Sequence, residues 1–347
     1  MSAVPSSLRE GATVLRPKRD ALISNQSAGW LVLGALLIMY PQFVPAFWTY
    51  QVGAQSLILG TIAMSLSLLA GQGGMVTLSQ MTVAGISAYL VCIFGTTSVQ
   101  QISLGWPWWL AISLALLIAT MLAVAIGALS IRTEGIRTIM ITLAIGVAFF
   151  YLAQQNYALF NGYQGFSGIS AGVVAGVDLA APVPFYYLCL AVAALLVWLL
   201  MSLARSTFGI GLQGVRDNPR RMASLGFSVV AHRLIAHAIA GLIASIGGVL
   251  FVFLNHQVSP GSVATPALIN VLVIAVLGGM RRPLGAFLGA ASFVLLQNFA
   301  IDLVSRERFN LVIGGVFLAV LLVSPDGVLG LITRLRSSLR PAPQQRI

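Results

Sequence analysis

The chain has 347 residues and a net charge of +11, with 8% charged residues against 58% hydrophobic ones. Soluble domains carry roughly 25% charge, and here no Asp, Glu, Lys or Arg occurs between Asp20 and Arg132, so a water-soluble fold is excluded. The positive charge lies in loops between apolar stretches, where it orients spans in a bilayer, and not on a nucleic-acid-binding face.

The pattern is that of an all-α, polytopic membrane protein with about ten transmembrane helices. Residues 1–27 form a polar N-terminal tail carrying Arg9, Arg16, Lys18 and Arg19. The first apolar span, 28–49, is too long for a signal-peptide core, and no small-residue cleavage pattern follows it, so it is read as a retained helix. Further spans are predicted at 52–70, 76–95, 107–130, 136–155, 182–204, 231–254, 267–280, 283–303 and 309–331. Most approach the ~20 residues needed to cross the hydrocarbon core; the eighth is short, as a broken or re-entrant element would be. The transmembrane domain thus covers 28–331, and 332–347 is a basic tail. With both termini placed in the cytoplasm, seventeen of the nineteen cationic residues fall inside, and only Arg306 and Arg308 fall outside. This is the asymmetry that the positive-inside rule demands.

The longest polar, charged break inside the apolar sequence is Arg205–Arg233. Asn218 suits a helix N-cap, Pro219 the first helical position and Gly226 the stop. A helix this short is marginal alone, so it makes sense when held between the membrane helices and a soluble partner. A plain topogenic loop is the alternative. On the outer side, the segments 156–184 and 256–266 are rich in Gly, Pro and small residues, and form the candidate face for an external partner.

Gly71–Leu90 contains four glycines and the polar residues Gln72, Thr77, Ser79, Gln80 and Thr82. Two readings are open: a pathway-lining break in a helix, allowed where protein or a water cavity satisfies the backbone, and a tight turn with a small-residue packing face. Gln72, Gln80, Asn270, Gln297 and Asn298 should face the bundle interior, as substrate contacts or as interhelical glue. The candidate pathway residues are Gln72, Thr77, Ser79, Gln80, Asn270 and Gln297. Gly285 and Gly289 have the GxxxG spacing of close helix contact. Asp302, Arg306, Glu307 and Arg308 form an expected external ion-pair cluster.

Several chemistries are absent. No span carries a carboxylate near its middle, which argues against ion coupling of the usual kind. Cys92 and Cys189 are apolar core residues with no disulfide framework. His232, His237 and His256 do not make a metal site, no cofactor is implied, and no nucleophile–base constellation supports catalysis. The only lysine, Lys18, stands in no glycine-rich loop, so a Walker A site is missing; any ATPase must be a separate protein.

With these features the chain resembles the permease subunits of branched-chain amino acid ABC importers, and among paired permeases it is similar to the longer one. Gly71, Gly74, Leu78, Gln80, Gly85, Ala88 and Tyr89 match an early family pattern, and Arg132, Gly135, Thr142 and Leu143 a second. Phe208, Gly209, Arg216, Asp217, Asn218 and Gly226 match a third; Ser259, Pro260, Leu277, Gly278, Gly279, Gly285, Gly289 and Ala290 a fourth; Pro325, Gly327 and Leu329 the last. Departures are Pro219 at a usual Glu, Ile210 at a usual Arg, Ser79 at a usual Gly, and Arg281 and Arg282 at small residues. The resemblance implies a bacterial inner-membrane location, a second permease subunit, two cytoplasmic ATPases and a periplasmic substrate-binding protein. It makes the segment from Asn218 to Gly226 a coupling helix. Met222 and Leu225 would be its apolar contact, and Arg216, Asp217, Arg220 and Arg221 its polar frame. Urea, short amides and small organic acids are alternative solutes, and an ATP-independent channel is the alternative from another class.

Overall fold

A computed structural model of the chain describes residues 34–99, 101–133, 135–169, 173–174, 177–178, 181–280 and 282–303, with short helical pieces at 314–315 and 318. The tails at 1–27 and 332–347, the start of the first predicted span, nearly all of the tenth, and the side chains of the cluster at 302–308 lie outside the described residues. The chain divides into two compact units, 1–45 and 46–347. The first contributes one apolar helix, α1, at 34–43.

The second unit is helical almost throughout. The rod α2 covers Trp48–Gln72, with an α-helical centre and π-helical turns at Trp48–Ala54 and Leu68–Gln72. It is followed by α3 (Gln80–Phe94), α4 (Trp108–Ser130), α5 (Ile136–Gln155), the single turn α6 (Tyr157–Phe160) and α7 (Pro182–Arg205). Then come α8 (Thr207–Asp217), α9 (Pro219–Ser224), α10 (Val229–Asn255), α11 (Thr265–Gly278) and α12 (Pro283–Leu303). Five of these helices, α2, α4, α5, α7 and α10, are long and apolar enough to cross a membrane, and α11 and α12, bent by 116° at their junction, form a broken sixth span or a re-entrant loop. The chain is therefore a polytopic helical membrane protein.

Enclosure separates the helices into two groups. The most apolar stretches of α2 and α10 are 83% and 72% buried, whereas those of α4, α5 and α7 are 33%, 22% and 22% buried. The enclosed pair is held by small residues, because in lipid close packing replaces hydrophobic exclusion as the cause of helix association. Gly248 of α10 lies so near α3 that a Cβ would strike the Ala84 carbonyl. At the same contact Ser87 Oγ donates to the Ser245 carbonyl at 2.8 Å. Helix α4 buries Ala111, Ala115, Ala119 and Ala123 at every fourth position. Ala119 and Ala123 meet Ala244 of α10 and Val83 and Ile86 of α3. The GxxxG spacing does what it implies: Gly278 and Gly285 bring the backbones of α11 and α12 together, and Gly289 sits against the Ile274 carbonyl.

The predicted third span is helical only from Gln80. Residues 73–79 are irregular yet mostly buried. At 1.5 Å per residue α3 is only ~22 Å long, short of a ~30 Å hydrocarbon core, and the irregular segment leads into its N-terminal end. Protein groups pair part of its backbone, which is how such a segment is tolerated. Met75 N donates to the Leu69 carbonyl at 2.9 Å, and Leu78 N to Thr142 Oγ of α5 at 3.0 Å.

The segments around Phe166 and Gln257 join. Strand β1 (Phe166–Ser167) pairs antiparallel with β4 (Gln257–Val258), Phe166 opposite Val258. A small hairpin, β2 (Val173–Val174) with β3 (Val177–Asp178), stands beside them in the chain. His256 Nδ1 lies 2.8 Å from the Ile169 carbonyl, and Tyr50 OH donates to the Leu254 carbonyl at 2.8 Å. Ser98 Oγ donates to the Ser167 carbonyl at 2.9 Å. Gly165 has φ +65°, and a Cβ there would strike the Val258 carbonyl, so this tie needs glycine at that position.

Candidate functional site

The segment 205–233 folds into two helices, each begun by a side-chain cap. Ser206 Oγ accepts from Gly209 N at 3.2 Å and starts α8. Asn218 Oδ1 accepts from Arg221 N at 3.0 Å and starts α9, with Pro219 at its first position. The end of α9 is a two-bond C-cap: Phe227 N donates to the Met222 carbonyl at 3.1 Å and Gly226 N to the Ala223 carbonyl at 3.0 Å. Gly226 takes φ +87° there, the left-handed geometry that this motif demands. Ser228 then caps α10 by accepting from Ala231 N at 3.3 Å. The expected short helix exists with the expected punctuation.

Helix α8 is an addition to the sequence reading. It is amphipathic: Leu212 and Val215 are fully buried, while Ile210 is exposed. The signal was present as Phe208, Leu212 and Val215 at i, i+4 and i+7 behind a Ser cap, masked by three glycines that lower helix propensity. Those glycines sit at contacts. A Cβ on Gly209 would meet Ala204 and the Leu203 carbonyl, one on Gly211 the His232 ring, and one on Gly214 the Met222 sulfur at 2.8 Å. His232 stacks on Phe208 with ring centroids 5.5 Å apart and meets Phe227 edge-on at 5.7 Å, joining α8 to the start of α10.

Met222 and Leu225, paired in the sequence reading, face different surroundings. Met222 is half-buried against Gly214 of α8, and Leu225 is 66% exposed. Arg220, Arg221 and Asn218 are exposed and Pro219 is intermediate.

Arg216 connects two motifs far apart in sequence. Its Nη1 donates to the Gly71 carbonyl at 2.6 Å, and its Nη2 lies 2.8 Å from Asp217 Oδ1. Its Cγ packs on Gly74, whose φ of +68° leaves no room for a side chain. The guanidinium thus ties α8 to the end of α2. At the same end of the bundle Arg233 Nη1 donates to the Ile131 carbonyl at 3.3 Å. Beside Arg216 opens a cleft of about 410 Å³, lined by Gln72, Met201, Arg205, Gln213, Arg216 and Pro283 among others.

The structure groups some of the candidate pathway residues and separates others. Thr77, Ser79 and Gln80 are buried together. Ser65 Oγ of α2 donates to Gln80 Oε1 at 3.0 Å, and Gln80 Nε2 to Thr77 Oγ at 3.5 Å. This cluster bridges α2, the irregular segment and, through Leu78 and Thr142, α5. Gln72 is set apart, in the cleft at the Arg-rich end. Asn270 and Gln297, half-buried on α11 and α12, do not join the network. Cys92 and Cys189 are free and buried. Among the described residues no group of His, Cys, Asp and Glu could hold a metal.

Comparison with known proteins gives this architecture relatives. The family model described as the permease component of branched-chain amino acid transport systems matches residues 49–321. The chain is 24% identical to the high-affinity branched-chain amino acid transport system permease protein LivM of Salmonella typhimurium, over 91% of this chain and 82% of that one. It is 23% identical to the protein of that name from Escherichia coli, over 92% and 78%. It is also 24% identical to the nucleoside ABC transporter permease protein NupC of Lactococcus lactis, over 66% and 74%. No solved structure gives a significant match. A polytopic helical bundle whose family match runs from the start of α2 to beyond α12 leaves one assignment: the chain belongs to the family of permease components of branched-chain amino acid transport systems.

Proposed function

We propose that the chain is one permease subunit of an ATP-driven importer of branched-chain or related small amino acids in the bacterial inner membrane. The observation that carries this reading is similarity to two branched-chain amino acid permease proteins along nine-tenths of the chain. In this reading both termini are cytoplasmic and about ten helices cross the bilayer, near the ~20 residues each that a span requires. A second permease subunit completes the pathway. Two cytoplasmic ATPases supply the ATP hydrolysis that a chain without a Walker A lysine cannot perform.

The segment from Arg216 to Gly226 is the coupling element. Helix α9 carries Arg220, Arg221 and the exposed Leu225 toward the ATPase, with Asn218, Pro219 and Gly226 fixing its ends. Met222 passes its movement to α8, and α8 passes it through Arg216 to the end of α2. A partner can shift such a bundle only through differential affinity for two states, so ATP-bound ATPases and a loaded periplasmic binding protein must each favour one. The paired outer loops are the docking face for the binding protein. The cluster of Thr77, Ser79 and Gln80 lies along the solute pathway, with Asn270 and Gln297 lining it elsewhere.

A nucleoside as solute is a second reading, favoured by the nucleoside permease among the relatives. Urea, short amides and small organic acids remain alternative solutes. The test is uptake into proteoliposomes holding the complete complex with its binding protein. ATP-dependent uptake of labelled leucine supports the proposal. ATP-dependent uptake of labelled uridine alone replaces the solute, and solute flux without ATP replaces the importer with a channel.

A further inference from the structure

The connection from α3 to α4 carries an apolar surface that the bundle does not cover. Six successive residues, Leu104, Gly105, Trp106, Pro107, Trp108 and Trp109, are all exposed. The stretch is nevertheless held in place. Leu104 N donates to the Ile93 carbonyl at 2.8 Å, Trp106 N to the Phe94 carbonyl at 2.9 Å and Gly105 N to the Gly95 carbonyl at 3.1 Å. The Trp106 ring stacks on Phe94, with centroids 5.6 Å apart and planes 12° from parallel. Gly105 takes φ +65°, a turn that glycine makes without strain. The connection belongs to the end of the bundle that carries β1, since Ser98 N donates to the Ser167 carbonyl at 3.1 Å.

The chemistry of this surface narrows its partner. An indole donates and does not accept, so the six side chains offer three N–H donors and no acceptor. No Asp, Glu, Lys or Arg stands between Asp20 and Arg132, whereas a docking face for a soluble protein has a polar rim. A contiguous exposed apolar patch marks an interaction site, and this one fits a partner that is apolar, rich in acceptors and met without formal charge. Its position agrees. At 1.5 Å per residue the 23 residues of α4 extend ~34 Å, slightly more than a ~30 Å hydrocarbon core. With the exposed Arg132 among the headgroups of one leaflet, the tryptophans reach those of the other. Trp109, Ser113, Leu117 and Met121 form an exposed stripe at every fourth position of α4, offset from its buried alanines. The patch is therefore continuous with the surface that α4 turns away from the bundle.

We propose that residues 104–109 are an interfacial shelf that binds lipid at the β1 end of the bundle. The indole N–H groups donate to glycerol ester carbonyls, and the ring bodies and Leu104 lie on the first methylenes of the acyl chains. The backbone bonds to 93–95 then fix the depth of the end of α3. This inference needs a membrane-spanning chain and no particular solute.

The complete complex is reconstituted into vesicles of phosphatidylcholine brominated near either the glycerol or the methyl end of the acyl chains. Its tryptophan emission is compared with that of a triple variant, Trp106→Phe with Trp108→Phe and Trp109→Phe. The difference emission belongs to the shelf. It should be quenched at least twice as strongly by bromine near the glycerol as by bromine near the chain ends, and less by iodide in the water than by the shallow bromine. Stronger quenching by iodide than by either lipid places the rings in water and overturns the proposal. Stronger quenching by the deep bromine overturns the interfacial depth, and quenching by none of the three, as when another subunit covers the rings, overturns the lipid contact. Should the triple variant fail to assemble, the three single Trp→Phe variants supply the same difference one ring at a time. Uptake by the unsubstituted complex tests the importer reading separately, because neither result depends on the other.

Discussion

The two ends of the bundle solve the same problem in opposite ways. At the end that carries β1 and β4, chain segments bind one another through backbone: β1 pairs with β4, and His256, Tyr50 and Ser98 bond the Ile169, Leu254 and Ser167 carbonyls. At the Arg-rich end, side chains do the holding. Leu212 and Val215 anchor α8, Arg216 pins it to Gly71, and α9 is left hanging on Met222 with Leu225 exposed. A backbone knot moves as a block. A short helix held by half-buried Met222 and Pro219 and two caps can follow a partner, and its low intrinsic stability makes it responsive to what it touches.

Substitutions break this contrast to different degrees. The largest effect is expected for Leu212→Ala, which empties the anchor of α8. Large-to-small changes at such sites cost about 2–5 kcal/mol, read as a lower thermal midpoint of the purified complex and lost uptake. Gly165→Val comes next, forcing a branched side chain into φ +65° against Val258. Strain of this kind costs on the order of 1–3 kcal/mol. In the proposed importer it should abolish stimulation by the binding protein while leaving ATPase co-purification intact, because only the β1–β4 tie is disturbed. Asn218→Ala removes the α9 cap for about 1 kcal/mol, lowering uptake severalfold, and Asn218→Asp should restore it. The smallest stability effect belongs to Leu225→Ser, within about 0.5 kcal/mol for an exposed site. That variant should nevertheless weaken ATPase co-purification, separating contact from fold.

The sequence made α9 legible because Asn218, Pro219 and Gly226 act locally: a cap, a fixed φ and a left-handed stop are written within nine residues. Helix α8 was hidden because Gly209, Gly211 and Gly214 read as loop, although they serve close contacts with Ala204, His232 and Met222. The polar stretch after Gly71 left a helix break and a tight turn both open, and did not show that helix resumes only at Gln80, since Ser79 makes no side-chain cap there. Pairings such as Phe166 with Val258, or Arg216 with Gly71, 145 residues away, join distant parts of the chain. No local pattern encodes them; they follow from how the helices pack. Gln72 illustrates the same limit, since only the fold separates it from Gln80 and places it in the cleft.

In the proposed importer, α9 transmits ATPase movement through α8 to α2. Replacing residues 219–225 with glycines removes that helix without touching the buried anchors. ATPase co-purification and binding-protein-dependent leucine uptake are then measured on the same complex. Loss of both, with the thermal midpoint of the membrane bundle unchanged, is the predicted result. Retained ATPase binding with undiminished uptake would contradict the claim.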